Sequence, residues 1–294
     1  MRKIELLSPA KDLICGIEAI NHGADAVYIG APRFSARVAA GNEIGDIEKL
    51  CNYAHNFGAK VHVALNTILT DNELKECEML IKQLYEVGVD VLIIQDLGLL
   101  TLNLPPLELH ASTQMDNRTP EKVKMLENLG FNRVVLAREL SISEMAKIRQ
   151  QTNIELEAFV HGALCVSCSG QCYLSQAAVG RSANRGACAQ LCRLPYTLTD
   201  ANGNVLLHDK HLLSLKDMNR SDYIEDMILA GISSFKIEGR LKEVEYVKNV
   251  TAFYRQKIDS VLEKLNCEKS SFGKNTYHFT PNPVKTFYRG KTEY

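Results

Sequence analysis

A regular alternation of short apolar runs with longer amphipathic stretches constrains this chain more than any other feature. The apolar runs are Ile4–Leu7, Ala26–Gly30, Lys60–Asn66, Val91–Gln95, Leu107–Ala111, Arg133–Ala137, Ile154–Val160 and Ser233–Ile237. Each has the length of a buried strand and is too short for a packed helix. Helical periodicity covers Lys11–Asn21, Ile44–Phe57, Asp71–Val87, Pro120–Leu129, Ile142–Gln151, Asp222–Ala230 and Glu243–Leu265. Glycine closes several of these helices just before the next strand, as at Gly23 and Gly231. Asp71 and Ser141 are the expected N-caps, and Ser141 with Glu144 makes a capping box.

Eight strands, all but the seventh followed by a short helical crossover, predict an α/β protein built as a (β/α)8 TIM-like barrel over residues 1–265. The length of 294 residues suits such a unit. An open doubly wound sheet is the alternative, but no glycine-rich dinucleotide loop follows the first strand. The weakest crossover is Asp96–Pro106, which is short for a parallel connection. The rhythm breaks once, between strands seven and eight, where an insertion at 161–232 carries a predicted hairpin, Tyr196–Thr199 and Asn204–His208. Residues 266–294 are polar and irregular and read as the start of a C-terminal extension.

The formal net charge of −1 gives no global field favouring nucleic acid and leaves a local patch open. The N-terminus has no apolar signal core, and no run reaches the ~18–20 apolar residues of a membrane helix. The expectation is a cytoplasmic protein with no membrane partner.

Nine cysteines in such a chain argue against a disulfide framework. Cys15, Cys51 and Cys77 sit in apolar helical contexts and are expected to be buried hydrophobes. Cys165, Cys168, Cys172, Cys188 and Cys192 cluster within the insertion. Four of them follow the spacing C-x6-C-x15-C-x3-C, which can bind either an iron–sulfur cluster or zinc. The spacing differs from paired C-x2-C zinc knuckles and so favours the cluster, with Cys168 a further candidate ligand. Gly162, Gly170, Gly180 and Gly186 let the chain wrap closely there. Cys165–Arg193 holds Arg181, Arg185 and Arg193 without Asp or Glu. Those cations suit an anionic substrate, or they offset the charge of thiolates.

Barrel chemistry sits at the C-terminal strand ends. There the sequence places Asn66, Ser112, Gln114, Arg138, His161, Glu238 and Arg240, with His110 just inside its strand. Polar exits are also what solvent exposure alone would produce. Lys236 and Glu238 alternate along the eighth strand, so both are expected to point inward, as part of a site or as a structural ion pair.

The segment from Glu157 to Cys165, EAFVHGALC, is followed by SGQCYLS at 169–175, GRSANRG at 180–186 and Cys188. With LLSPA at 6–10, DAVYIG at 25–30, HASTQ at 110–114, LSLKDMN at 213–219 and FKIEGRLK at 235–242, these segments resemble peptidase family U-32 over roughly residues 4–255. The resemblance implies a 4Fe-4S cluster on Cys165, Cys172, Cys188 and Cys192. It implies oxygen-independent hydroxylation of a pyrimidine in ribosomal or transfer RNA, with prephenate as oxygen source. The tail FTPNPVKTFYRGKTEY at 279–294 is most similar to the branch that hydroxylates a cytidine of 23S ribosomal RNA, whose members continue well beyond this length. Cys168 departs from the family pattern, in which an aromatic residue is usual.

Three readings follow. In the first, an RNA hydroxylase, His110, His161, Lys236 and Glu238 are candidates for proton transfer. Asn66, Ser112, Gln114, Arg138, Arg181, Arg185 and Arg240 then bind substrate or donor. The second is a peptidase, as the family name says. It lacks H-E-x-x-H and G-x-S-x-G and would need a Cys165–His161 pair as nucleophile and base. The third is a partner-dependent subunit, as in the family branch that hydroxylates quinone precursors as a heterodimer. A hetero- or homodimer is therefore among the expected assemblies.

Overall fold

In the computed structural model, residues 1–36 and 41–292 are described. The barrel strands are β1 (Arg2–Ala10), β2 (Ala26–Gly30), β3 (Lys60–Leu65), β4 (Val91–Ile94), β5 (Glu108–Ala111), β6 (Arg133–Val135) and β7 (Glu155–Ala163). Two further strands form a hairpin, β8 (Tyr196–Thr199) and β9 (Val205–Lys210), and then come β10 (Asp217–Asn219) and β11 (Ser234–Ile237). β1 to β7 pair in parallel in chain order. β11 closes the ring, pairing with β1 at Glu5↔Ser234 and with β7 at Ser234↔Glu157. The closed parallel ring settles the choice between barrel and open sheet. Its strands read as continuous apolar runs because both faces are covered.

The helices are α1 (Leu13–Asn21), α2 (Ile44–His55), α3 (Asp71–Glu86), α4 (Pro120–Asn128), α5 (Ile142–Gln151), α6 (Leu174–Val179), α7 (Ile224–Leu229) and α8 (Val244–Leu262). Their apolar stripes pack on the outside of the ring, and Cys15, Cys51 and Cys77 are buried there. The short fourth crossover contains only a 3-10 turn, Leu97–Thr101. Ser141 and Glu144 form the expected box, with Ser141 N–H donating to the Glu144 carboxylate at 2.7 Å. The cap of α3 is Thr70 rather than Asp71, because Glu73 accepts from the Thr70 N–H at 2.8 Å and fixes the turn one residue earlier.

The inward face of the ring carries a polar layer. β1, β3, β5 and β7 contribute Glu5, His62, His110 and Glu157, all buried. Alternate strands of a barrel supply such layers. Arg133 donates to Glu5 and, at 3.2 Å, to Glu157; Lys236 donates to the other Glu157 oxygen at 2.7 Å. Two buried carboxylates are thus matched by two buried cations, as burial of charge requires.

The insertion lies over the C-terminal end of the ring. The β8–β9 hairpin projects from it with its side chains largely exposed. β10 runs antiparallel to the end of β7. Residues after 265 run back over the barrel. β12 (Cys267–Lys269) pairs with β1, and β13 (Lys291–Thr292) pairs with β10. Ser271 donates to Asp25 at 2.6 Å, and Asp25 also accepts from Arg255 at 2.8 Å, tying this tail to α8. The last two residues of the 279–294 motif lie outside the described residues. No helix among the described residues is long and apolar enough to cross a membrane.

Candidate active site

A cavity of about 310 Å³ opens at the C-terminal end of the barrel, under the cysteine-rich insertion. Its floor is the last inward layer of the strands: Tyr28, Ala64, Ile93, Val135 and Phe159. The walls are polar, with Asn66, Ser112, Gln114, Arg138, Lys236, Glu238 and Arg240. Cys165, Cys168, Cys172, Cys188 and Cys192 form part of the roof.

The roof is pinned by specific contacts. Ser169 N–H and Oγ each donate to Glu139 at 2.7 Å. Gly170, at φ +74°, passes so close to the 112–116 turn that a Cβ would lie 1.9 Å from the Gln114 carbonyl oxygen. Arg193 donates to the Leu164 carbonyl, to Ser214 Oγ at 2.9 Å and to the Leu215 carbonyl at 3.1 Å. Arg185 donates to the Ile68 carbonyl at 2.8 Å and to Glu73 at 2.7 Å, fastening the insertion to the start of α3.

Within the cavity, Arg138 donates to Glu238 at 2.5 Å and to Cys165 Sγ at 3.6 Å, and its guanidinium lies 4.3 Å from the Phe159 ring centre. The Lys236 ammonium stands 4.3 Å from the Tyr28 ring centre. Burial pushes this amine below its ordinary range, while Glu157 pulls the other way. Arg240 donates to Ser35 at 2.8 Å. Asn66 donates to Ser112 Oγ at 3.1 Å and accepts from the Ala36 N–H. Three cations face one carboxylate, so the cavity is built for an anionic or strongly polar ligand above an aromatic floor.

The four motif thiols share this cavity. Burial raises the Cys192 thiol against the pull of Arg193, and the thiols at 165, 188 and 172 add to the rise. Among the described residues, the three ligating side chains whose donor atoms all fall within 4.8 Å of one another are His62, His110 and Glu157. No three of the clustered thiols meet that limit. Within the His62–His110–Glu157 group, the two Glu157 oxygens accept from Lys236 and Arg133.

Several sequence candidates lie elsewhere. His110 belongs to the enclosed layer beneath the cavity, 1% exposed and edge-on to His62 at 5.1 Å between ring centres. His161 turns toward α8, with Nδ1 3.3 Å from Tyr254 Oη, and burial pushes it down to about 4. Neither lines the cavity, so the Cys165–His161 pair is not assembled. Arg185 is an anchor, and Arg181, which donates to the Ala187 carbonyl at 3.1 Å, faces a second groove outside the cysteines. Conversely, Tyr28 and Phe159 were not among the sequence candidates. Period-two counting along β2 and β7 marks both as inward-facing.

The model of peptidase family U32 matches residues 11–293. The chain belongs to this family. Among U32 relatives, the 23S rRNA 5-hydroxycytidine C2501 synthase of Escherichia coli (strain K12) is 54% identical over 293 residues, covering 99% of this chain and 45% of that protein. The chain therefore spans less than half the length of that relative. The tRNA hydroxylation protein P1 of Bacillus subtilis (strain 168) is 37% identical, covering 88% of this chain and 64% of the relative. Among solved structures, the U32 peptidase Mk0906 superposes with a TM-score of 0.52 at 14% identity, over 81% of this chain and 93% of the other, which supports the fold.

Proposed function

We propose that this U32 chain is an oxygen-independent RNA hydroxylase that forms 5-hydroxycytidine in 23S ribosomal RNA, with a 4Fe-4S cluster on Cys165, Cys172, Cys188 and Cys192. The carrying observation is four thiols on the roof of a cavity whose walls are cationic and whose floor is aromatic. Four thiol donors suit iron–sulfur chemistry, and their C-x6-C-x15-C-x3-C spacing differs from paired C-x2-C zinc knuckles. The cluster, when bound, supplies electron transfer or a binding point for the oxygen donor. The similarity to the rRNA enzyme, at 54% identity, favours ribosomal RNA over the transfer RNA acted on by more distant relatives.

The chain's own residues have separable tasks. Tyr28 and Phe159 offer flat surfaces against which a pyrimidine can rest. Asn66, Ser112 and Gln114 supply donors and acceptors for a base edge. Arg138, Lys236 and Arg240 suit the carboxylates of a small donor such as prephenate. A ring carbon that gains a hydroxyl must lose a proton, and Glu238 is the carboxylate on the cavity wall able to accept it.

Anaerobic purification with iron and sulfide analysis tests the cluster, together with absorbance near 400 nm, about four of each per chain being expected. Nucleoside mass spectrometry of RNA from cells with and without the gene tests the product. A colourless, iron-free protein that cleaves peptides would replace this reading with the peptidase one.

A further inference from the structure

A second groove, of about 640 Å³, lies on the outer side of the cysteine roof. Cys165, Cys188 and Cys192, with Arg138 and Glu238, line both this groove and the inner cavity. The two spaces therefore meet along one rim of thiols. The outer groove adds Arg181, Arg193, Lys242 and Arg289 and no further carboxylate.

Its cations are arranged around an aromatic ring. Phe287 is 57% exposed, with the Lys242 ammonium 3.8 Å and the Arg289 guanidinium 4.4 Å from its ring centre. Arg289 is held by Asp217 at 3.2 Å. Lys242 has no carboxylate partner among the described residues, and burial followed by the nearby Arg289 depresses its amine. The cation–π contact with Phe287 steadies the Lys242 ammonium without neutralising it, which leaves that charge able to meet an anion. An exposed ring covered by cations can take a stacked base when the flexible Lys242 side chain turns from the ring to a flanking phosphate.

We propose that the outer groove holds the single-stranded RNA next to the target pyrimidine. Lys242 and Arg289 meet phosphates, and Phe287 stacks under a neighbouring base. The inference rests on the RNA reading above and deepens it: a nucleotide entering the inner cavity past the thiol rim leaves its neighbours in this groove. The rival role for the same cations is to offset thiolate charge, yet Lys242 and Arg289 stand against Phe287, whereas Arg138 is the cation of this groove that donates to a thiol.

The test is binding of a fluorescein-labelled single-stranded oligoribonucleotide to the full, anaerobically purified chain over a range of salt. Lys242→Ala should weaken binding and lower the slope of log affinity against log salt by about one. Phe287→Ala should weaken binding about tenfold with the slope unchanged. Lys49→Ala, on the far side of the molecule, should leave both unchanged. Melting temperature and cluster absorbance of each variant establish that it is folded and loaded. RNA binding that survives both Lys242→Ala and Phe287→Ala with an unaltered slope overturns the groove while leaving the RNA reading standing. A wild-type chain that neither binds RNA nor alters its nucleosides overturns both.

Discussion

The Arg138 guanidinium donates to the sulfur of Cys165 across 3.6 Å, and through its other terminal nitrogen to Glu238 at 2.5 Å. One buried cation thus couples the thiol roof to the carboxylate on the cavity wall. Arg138→Met removes a positive charge beside a thiolate and leaves Glu238 without its partner. Changes of this kind next to metal ligands cost roughly 10–100-fold in metal affinity or activity. The variant should lose its absorbance near 400 nm faster under a chelator and make at least about tenfold less hydroxylated nucleoside. Arg138→Lys should recover part of the charge effect but not the two-pronged geometry.

The five clustered thiols should divide four to one. Cys168 falls outside the C-x6-C-x15-C-x3-C spacing and accepts from Arg118 at 3.5 Å. Cys168→Ala should keep its iron and sulfide, whereas Cys172→Ala should lose both. Equal loss in the two variants would show that the fifth thiol is a ligand.

Much of this was legible in the sequence because its causes are local. A buried strand must be apolar, a helix end favours glycine, and four thiols within 28 residues can reach one cavity. What stayed hidden depends on long-range pairing. Arg185 reads as a substrate-binding cation in a segment without acids, yet its carboxylate is Glu73, 112 residues away. His110 and His161 read as strand-end residues. One lies a layer too deep, and the other turns to Tyr254, which the chain supplies 93 residues later. The groove built from Phe287 and Arg289 could not be anticipated either, because it requires β13 to pair with β10.

Acid should destabilise the fold before its carboxylates titrate. Burial pushes His62 from 6.5 down to about 4, and His110 also falls well below its ordinary value, chiefly through burial. Between those two values the unfolded imidazole binds a proton that the folded one refuses. Stability is therefore full above pH 6.5 and declines as pH falls toward 4, by up to about 3 kcal/mol for one such group. Denaturant melts at pH 7.5, 6 and 5 measure the slope. His62→Phe should reduce it, with His110 and His161 supplying the remainder; a wild-type midpoint that holds constant across this range would refute the assignment of neutral buried imidazoles.

The polar layer makes the sharpest stability prediction. Arg133 is 7% exposed at its side chain and is the cation on Glu5 as well as a donor to Glu157. Burial alone would raise the Glu5 carboxyl, and Arg133 overrides it to hold the group far below its usual value. Arg133→Met keeps the volume but strands Glu5 within the barrel, with Glu157 left to Lys236. Breaking a buried pair from one side costs about 3–5 kcal/mol, because an uncompensated charge remains. The double variant Arg133→Met, Glu5→Gln should recover most of that loss, since it removes the stranded charge as well. If the double variant is no more stable than the single one, the loss comes from packing and the layer is not held by charge balance.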